Sequence, residues 1–253
     1  MQNTELEQIL NSELNVSAIR DYCPNGLQVA GRSEIHSIVT GVTASQALLD
    51  AALDLNADAV LVHHGYFWKN ESPVIKGMKR ERLKTLLAND INLLAYHLPL
   101  DVHPVLGNNA QLAQHLGIEV AGGLEPDNRY SVALHGSFAA PVTAQQLSER
   151  LTDVLNRTPL HCASEQAPDL SRTVAWCTGG GQSYIELAAE AGVDAFISGE
   201  ASEQTVHIAR EMGMHFFAAG HHATERFGVK ALGEWLHSAY GLHVTFIDIP
   251  NPV

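Results

Sequence analysis

The run Asn56-Ala57-Asp58-Ala59-Val60-Leu61-Val62-His63-His64 decides the fold, because its apolar centre has the length of a buried strand and ends on two adjacent imidazoles. It is preceded by a second apolar run, Ile38-Val39-Thr40-Gly41, and by Ser45-Gln46-Ala47-Leu48-Leu49-Asp50-Ala51-Ala52-Leu53, which has helical spacing. The same order returns later in the chain. Val174-Ala175-Trp176-Cys177-Thr178-Gly179 and Ser183-Tyr184-Ile185-Glu186-Leu187-Ala188-Ala189-Glu190-Ala191 lead to Gly192-Val193-Asp194-Ala195-Phe196-Ile197-Ser198. The interval from Gly41 to Asp58 matches that from Gly179 to Asp194 to within two residues, which a loop change absorbs.

Each copy continues with a helical segment, Met78 to Asn89 in the first and Glu203 to Met212, with Ser202 as a cap, in the second. A further strand then stops at a histidine: Leu93-Leu94-Ala95-Tyr96-His97 and Phe216-Phe217-Ala218-Ala219-Gly220-His221. Alternating strands and helices predict an α/β fold, with two interleaved α/β lobes from an internal duplication and mixed, largely parallel sheets. The first repeat is expected over residues 1–125 and the second over 171–253. Between them, 126–170 reads as a small inserted α+β lobe, with an extended Tyr130 to Phe138 and an amphipathic Ala144 to Leu155. Thr4 to Leu14 has helical spacing. Asp21-Tyr22-Cys23-Pro24-Asn25-Gly26 reads as a turn before the short strand Leu27-Gln28-Val29, and a last strand ends before Pro250.

The 253 residues, 45% of them hydrophobic, suffice for a large core. No apolar stretch approaches the roughly 20 residues of a membrane helix, and the first residues lack a secretion signal, so a cytoplasmic protein without membrane association is expected. A formal net charge of −13 repels phosphate backbones and argues against nucleic acid as a partner, while a small molecule drawn to bound cations fits. Cys23, Cys162 and Cys177 form no C-x-x-C pair and read as small buried hydrophobes.

Of the 14 histidines, six lie at or beside these strand ends: His63, His64, His97, His103, His221 and His222. A single histidine at a strand end is more often structural than a ligand. Here, however, both copies repeat one interval, His97 with Asp101 and His221 with Glu225, and a helical turn would place each pair on one face. Pro99 argues for a tight turn in place of a helix in the first copy. Four imidazoles and two carboxylates are the donor stock of two divalent ions per chain, with Asp101 and Glu225 as bridging ligands. Nitrogen and oxygen donors without thiolate suit zinc, iron, manganese, cobalt or nickel equally.

Three further residues are candidates for acid–base work. His222 is either substrate-facing or structural, and His103 is equally open. Glu200, at the repeat position of His64, either faces the same cavity or is a solvated loop acid. Thr178-Gly179-Gly180-Gly181-Gln182-Ser183 could hold a phosphate on its N–H groups, but matches no phosphate-binding pattern and reads better as a tight turn. Trp176, Phe196 and Phe217 read as core.

Val62-His63-His64-Gly65-Tyr66-Phe67-Trp68, His97-Leu98-Pro99-Leu100-Asp101 with Gly107-Asn108-Asn109, Cys177-Thr178-Gly179-Gly180-Gly181 and Gly220-His221-His222-Ala223-Thr224-Glu225 together resemble the NIF-three-like family, also called the GTP cyclohydrolase 1 type 2 homologues. The resemblance extends from Pro24-Asn25-Gly26-Leu27-Gln28-Val29 to Phe246-Ile247-Asp248-Ile249-Pro250 and is weakest over 126–170. It implies a dinuclear site of His63, His64, His97, Asp101, His221 and Glu225, a two-lobed α/β fold, and a toroidal homohexamer whose metal sites face an internal cavity. The family name suggests opening of the purine ring of GTP. The expected function is that of a metal-dependent hydrolase using a metal-bridged hydroxide on a small molecule, a nucleotide or a cyclic C–N bond. The alternative is a non-catalytic metal-binding or regulatory scaffold.

Overall fold

Both repeated segments fold into a strand, a helix and a parallel strand. In the computed structural model, which describes residues 1–253, the chain begins with α1 (Asn3–Glu13), β1 (Gly26–Val29), β2 (Ser37–Thr43), α2 (Gln46–Asp54), β3 (Ala59–His64), α3 (Gly77–Ala88), β4 (Asn92–Ala95) and α4 (Leu98–Asp101). There follow α5 (Asn108–Leu116), β5 (Ile118–Gly123), β6 (Leu134–Val142), α6 (Ala144–Leu155), β7 (Leu160–Cys162) and β8 (Ser171–Cys177). The chain ends with α7 (Ile185–Glu190), β9 (Ala195–Ser198), α8 (Glu203–Glu211), β10 (His215–Ala218), α9 (His221–Thr224), α10 (Arg226–Tyr240) and β11 (His243–Phe246). No helix is long and apolar enough to cross a membrane.

The residues form two units that are interleaved in sequence, Met1–Gly107 with Gly228–Pro250, and Asn108–Phe227 with Asn251–Val253. The first holds a five-stranded sheet in the order β1-β4-β3-β2-β11, parallel throughout except for the β1–β4 edge pair. Successive residues of its strands face opposite sides. Ile38, Ala59, Leu61, Leu94 and Tyr96 pack with Leu6 and Leu10 of α1 and Val229, Leu232 and Leu236 of α10. Val39, Val60, Val62, Leu93 and Ala95 pack with Leu48 and Leu49 of α2 and Leu83 and Leu86 of α3. Burial of both faces explains why these strands read as unbroken apolar runs.

The second unit holds a six-stranded sheet, β5-β6-β8-β9-β10-β7, whose parallel centre β8-β9-β10 is flanked by antiparallel strands. Here the structure departs from the expected boundaries. Residues 126–170 are not a separate lobe: β6 pairs with β5 and β8, and β7 pairs with β10. Phe138 and the α6 residues Leu147, Leu151 and Leu155 share one core with Val174, Trp176 and Phe217, so the segment has no core of its own. Its extended part is Leu134–Val142, shifted from the expected 130–138. Of the cysteines, only Cys177 is buried; Cys23 and Cys162 are partly exposed.

The duplication extends to a side-chain clamp at the start of each parallel pair. Asp58, just before β3, accepts the N–H groups of His36 and Ser37 and the Ser37 hydroxyl. Asp194, just before β9, accepts the N–H groups of Arg172 and Thr173 and the Thr173 hydroxyl. The clamps set equivalent registers, Ile38 opposite Ala59 and Val174 opposite Ala195.

Candidate metal centre

In the first unit, β3 ends on His63 and His64, and β4 is followed by His97 as the residue that caps α4. A helical turn does form after His97, although Pro99 argued against it. Proline in a first turn removes only an N–H that has no helical partner, so Pro99 is tolerated there. The turn places Asp101, buried with His63 and His97, 3.5 Å by Oδ1 from the Nε2 of His63. One ligating atom from each of His63, His64 and His97 lies within 4.8 Å of the others.

The Nδ1 atoms of these three rings are all engaged. That of His63 lies 2.9 Å from the carbonyl of Tyr96, which can only accept, so His63 carries a proton on Nδ1, and the neutral ring has its lone pair on Nε2. That of His64 meets Thr43 Oγ1 at 3.2 Å, and that of His97 meets Asp21 Oδ1 at 3.0 Å. Burial alone would raise the Asp21 carboxyl. Hydrogen bonds from His97 and Asn25, the His97 charge and the Leu98 N–H outweigh it and hold the group at about 2. Asp21 is therefore ionised at neutral pH and fixes the His97 tautomer. The turn Asp21-Tyr22-Cys23-Pro24-Asn25-Gly26 is thus a bracket for His97, whose own N–H donates to Asn25 Oδ1 at 2.7 Å. Replacing Asp21 by asparagine is expected to weaken ion binding by about 10- to 100-fold, measured by competition with a chelator.

In the second unit, α9 carries His221 at its first position and ends beside Glu225, whose Oε2 lies 3.2 Å from His221 Nε2. Glu200 Oε1 lies 2.7 Å from His221 Nδ1, so this acid, at the repeat position of His64, orients His221 in the way that Asp21 orients His97. Burial would lower the His221 pKa, but hydrogen bonds and charge from Glu225 and Glu200 raise it to about 9.

The glycine-rich turn spends its first two N–H groups within the fold. The N–H of Thr178 donates to Asn109 Oδ1, and that of Gly179 to Thr224 Oγ1. Gly179, at φ 62°, makes room: a Cβ there would clash with Glu225 Oε1 and lie 3.1 Å from His221 Nε2. Substituting alanine is expected to displace Glu225, weaken ion binding and cost about 1–2 kcal/mol for the left-handed backbone, read as a lower denaturation midpoint.

Of the other candidates, His103 accepts the Leu106 N–H on Nδ1 at 2.9 Å and points Nε2 at Glu13, 3.6 Å away. It braces the turn after α4, and burial lowers its pKa despite Glu13. The His222 backbone N–H donates to the Val253 carbonyl. Thr43, Asp21 and the Tyr96 carbonyl were missed in the sequence. Only Asp21 left a trace there, as the opening of a turn, because a partner that touches a ligand across the fold has no fixed sequence spacing.

Comparison with known proteins agrees with this architecture. The Duf34/NIF3 (NGG1p interacting factor 3) family model matches residues 1–252. Proteins called GTP cyclohydrolase 1 type 2 homolog are 64% identical over 253 residues in Vibrio cholerae and 63% identical over 252 residues in Escherichia coli K12, each covering 100% of both chains. The solved structure of the protein ybgI, described as of unknown function, superposes with a TM-score of 0.97 at 62% identity over 100% of both chains. A structure from Thermus thermophilus does so with 0.89 at 32% identity, again over 100% of both. The chain belongs to the Duf34/NIF3 family.

Proposed function

We propose that the chain is a metal-dependent hydrolase of a small molecule, holding two divalent ions through His63, His64, His97, Asp101, His221 and Glu225. The observation that carries this reading is that all four histidines have Nδ1 engaged by a protein group, which reserves Nε2 as a ligand. A core histidine with no further task needs no such uniform arrangement. Ions held there supply Lewis acidity and bring the pKa of water near neutrality. The protein's part is to fix the ligand tautomers through Tyr96, Thr43, Asp21 and Glu200, and to hold Asp101 and Glu225 out of bulk water. The relatives' name adds a reaction class, hydrolytic opening of a C–N bond in a ring. The homohexamer that the family resemblance implies is part of the proposal and is checked by light scattering.

A second reading, a metal-binding scaffold without turnover, gains from the engagement of His103 with its own turn and of Glu200 with His221. Two of the three acid–base candidates are thereby committed to other tasks. The test is elemental analysis of protein purified without added metal, followed by a hydrolysis screen of the ion-loaded chain against nucleotides and cyclic amides. Turnover that disappears with a chelator and returns with one divalent ion supports the hydrolase. An ion-loaded protein inert to the whole screen supports the scaffold.

A further inference from the structure

Beside the three histidines of the first unit stand two aromatic side chains that neither of its cores absorbs. Tyr22 is 51% exposed, yet its ring packs edge-on against His97 with centroids 5.0 Å apart. Trp68, partly exposed, meets the same imidazole edge-on at 5.1 Å and stands 5.9 Å from both Tyr22 and His64. The two segments are tied together by the Lys69 N–H, which donates to the Tyr22 carbonyl at 2.8 Å. Glu71 accepts the Trp68 N–H at 3.1 Å, and Lys79 pairs with Glu71 at 3.2 Å while lying over the Phe67 ring. This bracing holds Phe67 at a φ of 64°, a left-handed conformation that is costly for a bulky residue. The fold thus keeps local strain where it presents Trp68 to the histidines.

We propose that Tyr22 and Trp68 form a stacking platform that seats a planar heteroaromatic ring against the histidine cluster. A flat nitrogen heterocycle is then the substrate class, an inference that rests on the hydrolase reading above. Aromatic faces hold such rings by offset stacking, with little regard to their substituents. The positive charge of ions at the cluster disfavours the quaternary ammonium groups that aromatic cages otherwise capture. The Tyr22 hydroxyl, 3.5 Å from His97 Nε2, adds a hydrogen-bonding group at the edge of the platform nearest the ligands.

The test titrates the full-length, ion-loaded protein with adenosine monophosphate, guanosine monophosphate, ribose 5-phosphate and choline, read by calorimetry and tryptophan fluorescence. The sugar phosphate isolates what phosphate alone contributes. Either nucleotide is expected to bind at least about 10-fold more tightly than ribose 5-phosphate. That advantage should vanish in Trp68→Leu and Tyr22→Ala and survive in Trp68→Phe, and Trp68→Leu should leave ion content unchanged. Equal binding of the sugar phosphate, preferential binding of choline, or an advantage that outlasts both substitutions overturns the platform. Ion content of the same samples separates the two ideas. A chain without ions overturns the hydrolase reading, whereas a loaded chain without ring preference overturns the platform alone.

Discussion

Alanine at Asp101 in one variant and at Glu225 in another is expected to abolish binding of two ions per chain, with affinity falling by more than about 100-fold. The size follows from position: partners one bond removed from an ion are typically worth 10- to 100-fold, and a direct carboxylate ligand exceeds that. Both residues are buried, and each faces a histidine Nε2, at 3.5 Å for Asp101 and 3.2 Å for Glu225. Glu200→Gln, which touches only Nδ1 of His221, should therefore do less than Glu225→Ala. A second readout does not depend on turnover. An ion present at 100 times its Kd should raise the unfolding free energy of the native protein by about 2.7 kcal/mol, and this increment should be missing from both alanine variants. Two ions retained in either variant would sink the assignment of that carboxylate.

The repeat that exposed these candidate ligands was legible because strand ends carry their signal locally. An apolar run that stops at His63, His97 or His221 shows both the strand and the side chain at its exit. The spacing of His97 to Asp101 and of His221 to Glu225 was legible because a single helical turn joins each pair. Long-range partners were not. Thr43 and Asp21 meet His64 and His97 only after the chain has folded. Helix α10 was missed because Gly228 and Gly233 interrupt its pattern, yet Gly233 is required there, since a Cβ would lie 2.9 Å from Val244 and 3.1 Å from Thr40. The 126–170 segment misled for a related reason. Its composition differs from the repeats, but its strands complete a sheet whose centre lies elsewhere in the chain.

The paired clamps make the duplication measurable as stability. Alanine at Asp58 leaves the N–H groups of His36 and Ser37 without their acceptor, and alanine at Asp194 does the same to Arg172 and Thr173. Each substitution is expected to cost about 1–2 kcal/mol, because two donors per site lose a charged acceptor but, being partly open to solvent, can turn to water. Burial would raise both carboxyls. For Asp58 the His36 and Ser37 hydrogen bonds and Arg32 outweigh it, and for Asp194 those from Thr173 and Arg172 with the His215 charge do so, leaving both pKa values below the ordinary carboxylate value. A lowered folded-state pKa contributes stability that is complete above the unfolded-state value, about 3.9, and that is lost as pH falls through the folded-state value. The gap in urea midpoint between the native chain and either variant should therefore be constant from pH 7 to about pH 5 and narrow only below about pH 4. A gap that closes already between pH 7 and pH 5 would show that another group carries the effect. If the clamps are equivalent, the two variants should lose stability by similar amounts, and the double variant by their sum, since each acts within its own unit.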